Sequence, residues 1–503
     1  MNLALAFAAA AEKHGTKTAI FWGEDHYSYE LLLTESRRLG NHLRNALGVK
    51  AGDRVGIWLK NCPEFVPALF GIFMAGGVVA PINNFLKPAE VNYILADAGI
   101  DLLITDGSTT EAWPEMSAAR PSLKFLIAEQ FANLQETRLL PIGDTADYQS
   151  ALLDLAVLIY TSGTTGRPKG AMLSHGNLLA NVESCRVVLS AIDADRFVVL
   201  LPMFHSFMLT VGVLLPLIVG GSLVIVKSLH PPKNVILEIL HHQATILPAI
   251  PQFFRALANA QLPPRQPLRI CISGGAPLPG EILREFNQKV PHVPLIEGYG
   301  LSEASPVVSV NPVRGPWKAG SIGVPIPGVE VTIQDTAGRI LPVGQTGEVC
   351  VRGANVMQGY WNQPEETAQV MRNGWLLTGD VGHCDTDGYF YITDRKKDML
   401  LVNGINVYPR EIEEAIYQFP GIKEAAVIGV RDERRGEQPL AYVALNTDPP
   451  VLDEHALLQF LRHRLADYKV PRRVILLPAL PRNSTGKILK TALREMADSQ
   501  ILR

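Results

Sequence analysis

The sequence has little that would bind a structural metal or cross-link a chain. Its five cysteines, Cys62, Cys185, Cys271, Cys350 and Cys384, lie far apart in 503 residues. There is no Cys-x-x-Cys pair and no Cys/His cluster, which excludes a zinc-finger arrangement and a disulfide framework. An odd, scattered set of thiols suits a reducing compartment, so a cytoplasmic location is expected. An excess of one charge is also missing: 46 Lys and Arg stand against 49 Asp and Glu, for a formal net charge of -3. That balance offers no basic surface for nucleic acid, and no long acidic or basic tail is visible. Internal repeats and low-complexity tracts are absent too.

Two apolar stretches look at first like targeting or membrane segments. Met1 to Ala11 lacks a basic leader, and Glu12 and Lys13 follow it directly, so an N-terminal helix is expected rather than a signal peptide. Phe197 to Val226 contains no Asp, Glu, Lys or Arg and is long enough to span a bilayer by hydropathy alone. Pro202, His205, Gly212, Pro216, Gly220 and Gly221 cut it into short pieces. It reads as strand, loop, helix, turn and strand inside a large domain, with no transmembrane segment. Peripheral membrane contact and a homodimer stay open.

The composition is otherwise that of a globular protein, 47% hydrophobic and 19% charged. The length exceeds what one core fills, so two or more domains are expected. Strand-like and helix-like runs alternate over residues 50–110 and 195–300. Such alternation implies an α/β fold with parallel or mostly parallel sheets covered on both faces. Ligands then sit beyond the C-terminal ends of the strands. From Ile322 to Ile392, short strands split by Gly, Pro and Asp turns predict a β-rich subdomain. A charged knot follows, Asp394-Arg395-Lys396-Lys397-Asp398, and beyond it a small α+β unit. The boundary is placed there, giving a large domain over 1–394 and a small one over 395–503.

The stretch around which these parts are arranged is Tyr160-Thr161-Ser162-Gly163-Thr164-Thr165-Gly166-Arg167-Pro168-Lys169-Gly170. A short apolar run, Leu155 to Tyr160, reads as a buried strand and then breaks into hydroxyls, glycines and cations. Such a run wraps an anion: glycines let the backbone approach, N–H groups and hydroxyls donate, and Lys169 supplies charge. Its spacing is not that of a Walker A motif, which needs Gly-x-x-x-x-Gly-Lys-Ser/Thr. The stretch instead resembles the phosphate loop of the adenylate-forming superfamily, which includes acyl-CoA synthetases, luciferases and adenylation domains. Within it the chain is most similar to fatty acyl-CoA ligases.

Further motifs carry the same resemblance along nearly the whole chain. Gly298-Tyr299-Gly300-Leu301-Ser302-Glu303 resembles the adenine- and metal-binding motif. The resemblance implies Tyr299 on the base, Ser302 as a hydroxyl donor and Glu303 on Mg²⁺ beside the triphosphate. Taken alone, a turn with a solvated Glu would account for this hexapeptide. Ser273-Gly274-Gly275-Ala276-Pro277 resembles the segment lining adenine and the acyl chain. Asp380, closing Trp375-Leu376-Leu377-Thr378-Gly379-Asp380, and Arg395 match the ribose contacts. The family's hinge lies just after that arginine, which points to Lys397. Lys487, in Pro481-Arg482-Asn483-Ser484-Thr485-Gly486-Lys487, takes the position of the catalytic lysine.

Leu201-Pro202-Met203-Phe204-His205-Ser206-Phe207 looks like the acyl-pocket motif. His205 stands where amino-acid-activating domains carry Asp, so a non-amino acid is implied. His205 joins Lys487 and Glu303 in the catalytic set, and His205, Phe207 and Met208 are assigned to the acyl pocket. Many fatty-acid members carry Gly at the position of Met208, and the larger side chain is expected to shorten or redirect the pocket. Gly404, in Asn403-Gly404-Ile405-Asn406-Val407-Tyr408-Pro409-Arg410-Glu411, matches the loop that threads pantetheine.

The implied reaction joins a carboxylic acid, ATP with Mg²⁺, and CoA in two halves through an acyl-adenylate. Medium- or long-chain fatty acids are the expected substrates. Alternatives are an aryl or short-chain acid, an acyl-AMP ligase loading an acyl carrier protein, and a luciferase-type oxygenase. A catalytically inactive nucleotide-binding protein is a further alternative, against which intact Glu303, Asp380, Arg395 and Lys487 argue.

Overall fold

The computed structural model describes residues 2–134, 154–162, 167–229, 233–260, 263, 266–432, 436–446, 452–482 and 487–501. Four sheets organise them. A nine-stranded sheet has at its centre Leu295–Gly300, Ile270–Ser273, Ile246–Ala249, Arg196–Val199, Ser222–Ile225 and Thr18–Trp22, all parallel. Antiparallel strands cap both of its edges. A six-stranded sheet runs Lys124–Ile127, Leu102–Thr105, Arg54–Trp58, Val78–Pro81, Leu155–Ser162 and Pro168–Ser174. Val78–Pro81, Leu102–Thr105, Ser222–Ile225 and Ile270–Ser273 are buried at every residue, as expected when helices cover both faces.

The helices are set by local sequence. Ser174 accepts the N–H of Asn177 and the Asn177 side chain returns the bond, which caps helix His175–Val188. Helix Pro88–Ala98 ends at Gly99, whose φ of 63° continues the chain in the left-handed region. All ten residues of helix Phe65–Met74 are buried, so it has no polar face and sits within the main core.

The uncharged run folds as the sequence predicts. Strand Arg196–Val199 leads to a helical segment over Met208–Leu214 and Leu215–Val219, a turn at Gly220, and strand Ser222–Ile225. Met1 to Ala11 likewise falls largely in helix Leu3–His14. No helix among the described residues is long and apolar enough to cross a membrane.

The β-rich region forms a five-stranded antiparallel sheet that includes Val329–Gln334, Gly347–Gly353, Trp375–Cys384 and Phe390–Arg395. After Lys397 a fourth sheet takes over, with Leu400–Val402, Ile405–Val407, Ile422–Asp432, Gly436–Leu445 and Val474–Leu476. Helices Pro409–Tyr417 and Glu454–Arg462 contribute to its own core.

Candidate active site

Three parallel strands build one wall of the site. Ala249 pairs with Ser273, and Ser273 with Glu297, so their C-terminal ends finish at one sheet edge. That register brings Ile250, Gly274-Gly275-Ala276 and Gly298-Tyr299-Gly300 to one cleft. Gly275 has φ 76°, a turn that a side chain would strain. Gly274 is needed for space: a Cβ there would stand 3.0 Å from the Phe207 ring.

Asp380 is 3% exposed and connects two sheets. The Tyr299 hydroxyl donates to Asp380 Oδ2 at 2.6 Å, and Arg395 Nε lies 3.1 Å from Oδ1. Asp380 and Arg395 are register partners on neighbouring antiparallel strands, which fixes the ion pair. The adjacent Asp380 carboxylate pushes the Arg395 guanidinium up. Tyr299 is raised well above its ordinary range by burial, then by Asp380, and stays a neutral donor. The carboxylate keeps lone pairs with which to accept further hydroxyls.

Glu303 lies in the turn between strands Leu295–Gly300 and Val307–Val310. Its Oε1 accepts from the Tyr360 hydroxyl at 2.9 Å and from Thr161 Oγ1 at 3.5 Å. Among the described residues no group of three or more His, Cys, Asp or Glu could hold a metal. A single carboxylate next to the Thr161 hydroxyl nevertheless fits Mg²⁺, which keeps several waters and takes phosphate oxygens as ligands.

Lys169 is buried, ion-paired with Glu366, and has its ammonium 5.5 Å from the centre of the Tyr360 ring. Gly163, Thr164, Thr165, Gly166 and the Ser162 side chain lie outside the described residues, as do Asn483 to Gly486.

A cavity of about 480 Å³ opens on the other side of Gly274. Cys185, Val188, Leu189, Val211, Ile272 and Val310 make an apolar wall, and Thr161, Ser302, Glu303, Arg395 and Lys487 line its polar part. The Ser206 and Ser302 hydroxyls are 2.9 Å apart, tying the His205 segment to the Glu303 turn. The Phe207 N–H donates to His205 Nδ1 at 3.3 Å, leaving Nε2 to carry the proton. Burial, with Lys487 second, pushes His205 down to about 4, so its imidazole is neutral at pH 7.

The cavity corrects one expectation. Met208 does not line it: the side chain is fully buried, and its sulfur falls 2.0 Å from where a Gly212 Cβ would stand. The π-helical turn Met208–Leu214 aims Met208 back along its own axis and presents Val211 to the cavity.

Lys487 lines this cavity and also a second one, of about 240 Å³, beside Asp380 and Tyr299. The residue is exposed, and the groups crowding it desolvate its ammonium only locally. That desolvation, with Arg395 next, lowers Lys487 to about 8. Two expected residues stay away from the cleft. Lys397 is exposed in the turn after Arg395. Gly404, at φ 75°, tips the exposed hairpin formed by Leu400–Val402 and Ile405–Val407, with nothing within 4 Å of a Cβ there.

Sequence reasoning missed Tyr360, Glu366, Glu297 and helix His175–Val188. Their signals were weak singly, because each is an ordinary residue that only the tertiary fold brings to the cleft. Glu297 alone had a cue, a carboxylate ending an apolar strand. It is 6% exposed, and burial raises it to about 7.

The profile of the AMP-binding enzyme family matches residues 7–361, and that of the AMP-binding enzyme C-terminal domain matches 411–487. The chain is 35% identical over 528 residues to a long-chain-fatty-acid–CoA ligase of Bacillus subtilis (strain 168), covering 97% of this chain and 93% of that one. It is 38% identical over 484 residues to a feruloyl-CoA synthase of Amycolatopsis sp, covering 95% of each. ATP-bound MatB from Rhodopseudomonas palustris superposes with a TM-score of 0.90 at 33% identity, over 99% of both chains. Apo MatB from the same organism gives 0.78 over the same coverage. The matched profiles, in order along a chain whose sheet ends, Asp380–Arg395 pair and Lys487 converge on one cleft, show that it belongs to the AMP-binding enzymes, the adenylate-forming superfamily that includes acid–CoA ligases.

Proposed function

We propose that this chain is an ATP-dependent carboxylic acid:CoA ligase, working through an acyl-adenylate on medium- or long-chain aliphatic monocarboxylic acids. The observation that carries the reading is the meeting of two cavities at Lys487: one that reaches Asp380, and one with an aliphatic inner wall behind Gly274, with Tyr299 and Arg395 lining both. The first suits a nucleoside, with Asp380 and Arg395 on the ribose and Tyr299 and Gly274 to Ala276 about the base. The second suits a tail without charge, since its inner wall is aliphatic and His205 is neutral. Thr161 to Gly166 and Lys169 would cradle the triphosphate. Glu303 would hold Mg²⁺, which when bound offsets phosphate charge.

In the first half the acid's carboxylate oxygen attacks the α-phosphorus. The bond from that phosphorus to the bridging oxygen breaks, and pyrophosphate leaves with its electron pair. Charge gathers on phosphorus as two anions meet, and the Lys487 ammonium stabilises it by a few kcal/mol. In the second half the CoA sulfur attacks the acyl carbonyl, the thiol proton is lost, and AMP departs. The small unit (395–503) would turn on the large one (1–394) about Lys397, withdrawing Lys487 and bringing Gly404 to the cleft. The long-chain-fatty-acid–CoA ligase relative and the aliphatic wall support the choice of acid. Phe204 and Phe207, which also line the cavity, favour an aryl acid as the second reading, as does the feruloyl-CoA synthase relative.

The test is AMP release across aliphatic and aryl acids, with free CoA or a carrier protein as acceptor. Fastest turnover with an aliphatic acid and CoA supports the proposal. Fastest turnover with an aryl acid, or transfer to the carrier alone, overturns the substrate or the acceptor respectively.

A further inference from the structure

Among the described residues, the Glu303 carboxylate accepts two hydrogen bonds, and both land on the same oxygen. Tyr360 donates to Oε1 at 2.9 Å, and Thr161 to Oε1 at 3.5 Å. The first has the length of a firm O–H···O bond, while the second is at the outer limit of one. Nothing in the reaction above uses Tyr360, yet much of the structure around it fixes where its hydroxyl stands.

Tyr360 lies on the segment Met357 to Trp361, which runs antiparallel along strand Pro168–Ser174. The Gln358 N–H donates to the Met172 carbonyl at 2.9 Å, and the Met172 N–H to the Gly359 carbonyl at 2.9 Å. The Trp361 N–H donates to the Gly170 carbonyl at 2.8 Å. At the start of the segment the Met357 N–H donates to the Glu303 carbonyl at 2.8 Å. The segment is therefore bonded to the backbone of the residue whose side chain it reaches. The Tyr360 N–H donates to Thr367 Oγ1 at 2.8 Å, on helix Pro364–Val370. The neighbouring Glu366 pairs with Lys169, whose ammonium lies over the Tyr360 ring. Strand, helix and Glu303 turn together hold the tyrosine, and its hydroxyl has little freedom to leave Oε1.

A carboxylate engaged through one oxygen offers the other to a cation. Ca²⁺ is large and accepts both oxygens of a carboxylate in a flexible shell, whereas Mg²⁺ is small and demands a regular octahedron. We propose that Tyr360 is a positioning residue: its hydroxyl occupies Glu303 Oε1, leaves Oε2 for the cation, and so favours Mg²⁺ over Ca²⁺ beside the triphosphate. The proposal rests on Glu303 as the metal ligand of the ligase reading.

Calorimetric titration of ATP into the full chain tests it, with Mg²⁺, with Ca²⁺, and with EDTA and no divalent ion. This reads binding and needs no turnover. The unsubstituted protein should bind ATP at least about fivefold more tightly with Mg²⁺ than with Ca²⁺, roughly the worth of one hydrogen bond. Tyr360→Phe keeps the ring against Lys169 and loses only the hydroxyl. Its affinity for ATP without metal should stay within about twofold, and its preference for Mg²⁺ over Ca²⁺ should fall to about twofold or less. A merely structural role would lower all three affinities together, and that result overturns the proposal. An unchanged preference in Tyr360→Phe overturns it as well. So does equal affinity with the two ions in the unsubstituted protein, a comparison that needs no variant to fold. If the unsubstituted protein binds ATP no better with either ion than without, the metal role of Glu303 fails, and the proposal with it.

Discussion

Lys487 is the residue whose ionisation matters most. Held at about 8 instead of the ordinary amine range, it is charged below that pH and neutral above it. Adenylation by the free enzyme should therefore fall as pH rises through about 8, and Lys487→Arg should remove that limb, because a guanidinium stays protonated. Pyrophosphate exchange measured against pH checks this, and a flat profile to pH 10 would contradict it. Lys487→Ala should lower exchange about 10²-fold or more, with thiolysis of acyl-adenylate little changed. At this scale much of the site was legible. Tyr299, Glu303, Asp380, Arg395 and Lys487 are chemically distinctive residues after strands or in glycine turns; Tyr299 and Arg395 meet Asp380 there, and Glu303 accepts from Tyr360. Tyr360 and Glu297 were not legible. A hydroxyl reaching Glu303 from a residue 57 positions away leaves no trace in local sequence.

At the scale of elements, the turn after strand Leu295–Gly300 admits little change. A Cβ on Gly300 would stand 2.0 Å from the Pro306 carbonyl oxygen, so Gly300→Ala must displace the backbone carrying Tyr299 and Glu303. It should raise the KM for ATP severalfold or more, by a loss that titration with ATP can read; unchanged ATP affinity would contradict the packing. The helical segment after His205 makes the opposite point. Met208→Ala empties a core position and should cost about 2–5 kcal/mol of stability without altering the acid-length profile. Val211→Phe fills the cavity and should shift preference to shorter acids. A longer-chain profile for Met208→Ala would return Met208 to the wall. The alternation of strands and helices could be read from apolar runs and breakers. The π-helical turn could not, because a one-residue change in helical phase alters which side chain faces the cavity while the composition stays the same.

At the scale of the molecule, two cores meet at a cleft that belongs to neither. A smaller unit with its own sheet follows the change of texture at Asp394 to Asp398, its strand Leu400–Val402 beginning just beyond. How the units are seated could not be read from sequence, since a contact such as that of Arg255 Nη1 with the Lys423 carbonyl joins segments more than a hundred residues apart. In this seating Lys487 is at the junction of the cavities and Gly404 is exposed. On the proposed reading, this seating serves the first half of the reaction. The most direct measurement of that claim is exchange of labelled pyrophosphate into ATP without CoA, with and without an aliphatic monocarboxylic acid. Exchange that requires the acid and is lost in Lys487→Ala is the expected result. Exchange independent of acid, or cleavage of ATP to ADP and phosphate, would contradict it.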